Sequence, residues 1–97
     1  MGDALAAIVA AYRATRRKDW RQIRQVPLVH GVEALTRAET PFALAAAEAK
    51  VVRDALAEFT RRFPAEYEQI RLCGLDYGLN AVIGALATEE LPARPIA

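Results

Sequence analysis

Four prolines, Pro27, Pro41, Pro64 and Pro92, cut the chain into segments, and this punctuation constrains the fold more than any other feature. Proline lacks an N–H and clashes with the preceding turn, so a helix does not run through it, yet its fixed φ suits a helix's first turn. Between the prolines, apolar residues recur at helical spacing and strand-like alternation is almost absent. The chain therefore reads as all-α, a compact bundle of four to five helices.

The first segment runs from Asp3, which reads as an N-cap, towards Gln25. Leu5, Ile8, Tyr12, Ile23 and Val26 share one arc if that helix is continuous, but Thr15 and Asp19 intrude on it. A break near "RRKD", with Asp19 capping a short second helix, is the alternative. The second segment places Leu28, Val32 and Leu35 on one face and is weakened by Gly31. The third has Thr40 as N-cap and Pro41 at the first helical position. Phe42, Ala45, Ala49, Val52, Leu56, Phe59 and Phe63 then follow at alternating spacings of three and four, the seam of a packed helix over 41–63. Pro64 opens the last segment, to about Glu90, and the C-terminal half reads as an antiparallel hairpin of helices 41–63 and 65–90.

The last helix contains "GLDYGLNAVIGALA", where three glycines cost about 3 kcal/mol of helix propensity relative to alanine. Gly74, Gly78 and Ala81 fall on one narrow arc, and Leu75, Leu79, Val82 and Leu86 on the arc beside it. A small-residue face lets another helix backbone come close, and that packing offsets the propensity loss. The competing account ends a short helix at Gly74, with Asp76 capping the next. In both, 77–87 is largely buried. No internal repeat stands out.

Length, charge and cysteine usage bound the rest. Ninety-seven residues suit a single helical domain, 1–91, followed by a flexible proline-containing tail, 92–97. A net charge of +1 drives no global attraction to polyanions, but 13–24 holds six basic residues against one aspartate. The single cysteine, Cys73, excludes an internal disulfide and suits a reducing compartment. No apolar run is long enough to span a bilayer, and Asp3 before with arginines after Ala4–Tyr12 is the wrong charge order for export. These features place the protein in the cytoplasm, away from membranes.

Chemistry-bearing patterns are few. His30 stands alone, and neither a zinc nor a di-iron spacing is present, so no metal or cofactor is expected. Cys73, Asp76, Tyr77 and Asn80 form one compact polar set. No base stands beside the thiol in sequence, so no catalytic residue is assigned, and a small enzyme centred on Cys73 and Asp76 is kept only as a third reading. The basic stretch carries Arg13, Arg16, Arg17, Lys18, Arg21 and Arg24, with Trp20 at its edge. Such a face can track a phosphate backbone while the indole stacks on a base.

Taken together, these patterns describe a non-catalytic interaction protein: an adaptor, inhibitor or accessory subunit working through apolar helix faces. Gly74, Gly78, Ala81, Leu75, Leu79, Val82 and Leu86 are its candidate contacts, and a protein partner or a second copy of the chain is expected on them. The alternative is a nucleic-acid-binding subunit that uses the basic face, or an acidic partner on that same face.

Overall fold

A computed structural model describes residues 2–90. Six helices follow one another: α1 Gly2–Thr15, α2 Arg17–Ile23, α3 Leu28–Thr36, α4 Ala46–Arg62, α5 Pro64–Ile70 and α6 Leu75–Glu90. No strand is present among the described residues, and the helices form a compact bundle. The tail 92–97 lies outside the described residues. All six helices contribute to one apolar core, with Leu5, Leu28, Val52, Leu75, Leu79 and Val82 its largest fully buried side chains.

The order of elements repeats. Arg17 and Pro64 open the short helices, Ile23 and Ile70 close them, and Leu28 and Leu75 open the next, each pair 47 residues apart. The bends before the short helices match in torsion: φ −123°, ψ 56° at Arg16 and φ −130°, ψ 59° at Phe63. Two hands result, α1–α2–α3 and α4–α5–α6, joined by residues 37–45. Their turns meet at an isolated antiparallel bridge between Pro27 and Gly74, which are themselves counterparts.

Contacts across the bridge are reciprocal, the signature of an approximate two-fold axis. Leu28 N–H donates to Cys73 O (2.7 Å) and Leu75 N–H to Val26 O (2.7 Å), while Val29 and Asp76 donate to Arg71 O and Arg24 O at 3.1 and 2.9 Å. The first N–H groups of a helix lack intrahelical acceptors. Here each hand caps the other's long helix with turn carbonyls. The side chains reciprocate too: a Cβ at Gly78 would stand 2.8 Å from Leu28 Cδ1, and one at Gly31 would stand 2.8 Å from Leu75 Cδ1.

The duplication corrects the reading of the chain as free of repeats. Its trace is short, "WRQIR" against "YEQIR", followed in each hand by a leucine and then a glycine three residues on. Conservation of pattern rather than identity hides the remainder, as in Tyr12 and Phe59 or Val32 and Leu79, all buried.

The last segment is broken, as the competing account held, but by a different device. Gly74 has no positive φ, and α6 is capped by the opposite turn's carbonyls rather than by the Asp76 side chain. The C-terminal half thus holds three helices where two were expected, with α5 and its turn between α4 and α6. The first segment is also broken, at Arg16. Asp19 accepts from Arg16 Nε (2.9 Å), and no side chain caps α2.

The third helix starts later than its proline predicts. Residues 41–45 are extended or turned, and Ala45 (φ −61°, ψ 154°) precedes α4. Side chains from α1 and the bend after it take the carbonyls that a first turn would use: Tyr12 Oη donates to Phe42 O (3.0 Å), Arg16 Nη1 to Ala43 O (2.8 Å) and Arg16 Nη2 to Pro41 O (2.6 Å). Thr40 Oγ1 donates back to Ala34 O and caps nothing ahead of it. Phe42 and Leu44 still pack on the core, so the hydrophobic pattern is kept while the helix is not.

Candidate interaction surface

The leucine arc of α6 faces inward. Leu75, Leu79, Val82 and Leu86 are each 2% exposed or less, packed among residues of the other five helices. Gly78 is buried under Leu28, Gly74 sits against the Arg24 carbonyl (3.2 Å from an added Cβ), and Ala81 is half-buried. The small-residue face thus has its close partner within the chain. Leu75, Leu79, Val82, Leu86 and Gly78 are therefore corrected from docking contacts to buried residues, and Gly74 and Ala81, half-buried, pack within the chain, because the two-fold stacks one hand's long helix on the other's turn.

Only Leu72 and Tyr77 remain as exposed large hydrophobics among the described residues, at 61% and 63%. Leu72 lies in the turn after α5, and Tyr77 in the first turn of α6. Both therefore flank the second hand's turn. Their counterparts across the two-fold are Gln25 and His30, both exposed. The same backbone thus accepts polar residues at these sites, and nothing in the packing requires apolar ones.

The basic stretch divides in two. Arg13 Nη2 donates to Asp76 Oδ1 (2.5 Å) and Asn80 Oδ1 (3.1 Å) on α6, with its guanidinium 5.0 Å from the Trp20 ring centroid. Arg24 stands 3.6 Å from the same carboxylate. Arg16 stacks on Tyr12 at 4.7 Å and ties down the 41–45 segment. These three serve the fold. Arg17, Lys18 and Arg21 lie exposed on or beside α2 and engage no partner among the described residues. Trp20 is 9% exposed, edge-on to Tyr12 with centroids 6.2 Å apart. It is corrected from a stacking platform to a core residue, since bending at Arg16 turns its indole inward.

The polar set at the start of α6 and in the turn before it is structural in its contacts. Asp76 holds Arg13, Arg24 and Asn80, while the Cys73 thiol donates to Gln69 O at 3.6 Å. His30, exposed on α3, lines a surface hollow with Glu33, Arg37 and Thr40. Among the described residues no group of three His, Cys, Asp or Glu side chains could hold a metal ion. No described helix is long and apolar enough to cross a membrane.

Two groups are electrostatically displaced. Burial pushes the Tyr12 hydroxyl above the usual tyrosine range, with the Arg16 charge opposing. The hydrogen bond from Arg61 pulls the Glu58 carboxyl below the usual glutamate range, outweighing desolvation, and Arg62 adds to it. Sequence reasoning missed the Arg13–Asp76 pair, whose partners lie 63 positions apart with no local signal joining them. No protein-family model, curated protein or solved structure matches the chain.

Proposed function

We propose that the chain is a non-catalytic protein-interaction module that docks through the turn of its second hand. One observation carries the reading: Leu72 and Tyr77 are exposed and apolar where their two-fold counterparts are Gln25 and His30. Exposed aromatic and aliphatic side chains beside a rigid turn make efficient anchors, because little entropy is lost on binding. The leucine arc on which a second copy was expected lies in the core, so the partner is read as another protein.

Photo-crosslinking in the native host tests this. A photoreactive residue at position 72 or 77 should capture a defined partner, and one at 25 or 30 should not. An L72S/Y77S variant should lose that partner while its stability changes by less than about 0.5 kcal/mol, as is usual for surface changes. Equal capture from both hands would refute the reading.

Arg17, Lys18 and Arg21 support a second reading, an anionic ligand such as a nucleic-acid backbone, because these three cations are not spent within the fold. Three phosphate contacts give a log–log salt slope of about −3 on duplex DNA. A flat slope, or unchanged binding by R17E/K18E/R21E, would dispose of it.

A further inference from the structure

The two-fold is broken where each hand's first helix packs on a long helix. Arg13 reaches from α1 across α6 to Asp76 and Asn80 and closes that groove. In the counterpart, between α4 and α3, Thr60 occupies the place of Arg13, and Val29 and Glu33 those of Asp76 and Asn80. A threonine is too short to make the crossing. An open groove remains there, lined by Val32, Leu56, Ala57 and Thr60, with Arg53 and Arg61 at its ends. The corresponding α1 positions are Ala6 and Ala14, so the two cations belong to this groove alone.

We infer that this groove binds an acidic amphipathic helix of another protein. Arg53 and Arg61 lie eight residues apart on α4, about 12 Å along the axis, with Ala57 between them. Arg53 uses one nitrogen on Thr36 O (3.2 Å), and Arg61 uses one on Glu58 (2.6 Å), which leaves each guanidinium N–H groups for a further carboxylate. Glu33 is paired with Arg37, and Glu58 bridges Arg61 and Arg62, so Arg61 already holds one carboxylate while Arg53 forms no ion pair among the described residues. A helix laid on the floor presents residues at i, i+4 and i+8 to these three positions, so the complement is acidic, apolar, acidic. No described helix of this chain carries that pattern, which disfavours a second copy as occupant. The surface shares no residue with Leu72 and Tyr77, so each stands or falls alone.

The probe is a fluorescein-labelled, alanine-rich helical peptide carrying Glu, Leu and Glu at i, i+4 and i+8, followed by anisotropy at low salt. It should bind the whole protein, and R53E/R61E should weaken it at least tenfold while keeping the wild-type circular dichroism spectrum. A Lys–Leu–Lys peptide should prefer that variant over the wild type. Amide shifts on binding should centre on Val32, Leu56, Ala57 and Thr60. Failure of the Glu–Leu–Glu peptide to bind would overturn the inference. So would indifference to R53E/R61E, or equal binding of a peptide lacking the leucine.

Discussion

Two alanine substitutions in one helix should act with opposite sign. Helix propensity alone favours alanine over glycine by about 1 kcal/mol at an interior position. At Gly84 an added Cβ meets nothing within 4 Å, so G84A should realise most of that gain, about 0.8 kcal/mol. At Gly78 the same methyl would stand 2.8 Å from both Leu28 Cδ atoms and 2.9 Å from its Cβ. Leu28 is wholly buried, so it cannot swing into solvent. Overpacking of this kind costs about 1–3 kcal/mol. At the upper half of that range G78A loses about 1–2 kcal/mol net, despite the propensity gain. With a urea slope of about 1.2 kcal/mol per M for a chain of this size, the G84A midpoint rises by about 0.7 M and that of G78A falls by about 1 M. Circular dichroism melts in urea at constant slope would read both. In the double variant L28A/G78A the vacated leucine volume should receive the methyl, so the two losses should fall short of additivity by about 1 kcal/mol or more. If G78A is as stable as G84A, or the pair is additive, the reciprocal leucine-on-glycine contact does not organise this core.

Other outcomes follow from the polar contacts. D76A strands Arg13 and Arg24 and should cost about 1–2 kcal/mol; a double-mutant cycle with R13A should recover most of that as coupling. Y12F removes the hydroxyl bond to Phe42 O and should cost about 1 kcal/mol. It should also flatten the alkaline limb of the stability curve. Tyr12 ionises later in the folded state than in the unfolded, so its contribution is full below the unfolded pKa and lost as pH rises through the folded one. Glu58 has the opposite sign: its contribution is present above the ordinary glutamate pKa and lost as pH falls through the depressed folded value. E58Q should therefore reduce the acid-side slope in a pH series of urea melts.

Much of the fold was legible because helices are local. Leu28, Val32 and Leu35 were placed on one buried face by spacing, and they are 0%, 6% and 4% exposed. The candidate site was legible only in part. Asp76 was visible as a polar residue on an apolar helix, but not as the anchor of arginines on α1 and beside α2. Leu72 and Tyr77 carried no signal on their own, since exposure is read from packing and not from residue type.

By itself the sequence determined that this chain is helical, where apolar faces lie, and that a helix ends just before Pro64, because proline disfavours the α conformation in the residue before it. The tertiary structure decided the rest. The same bend occurs at Arg16 with no proline present, held by a guanidinium that also reaches Pro41 O and Ala43 O. Those bonds unwind the helix that Thr40 and Pro41 would otherwise start. Two turns, 47 residues apart, cap each other's helices and seat each leucine on the other hand's glycine. Backbone hydrogen bonds and close packing between distant segments form only once both are in place, so no window of local sequence contains them.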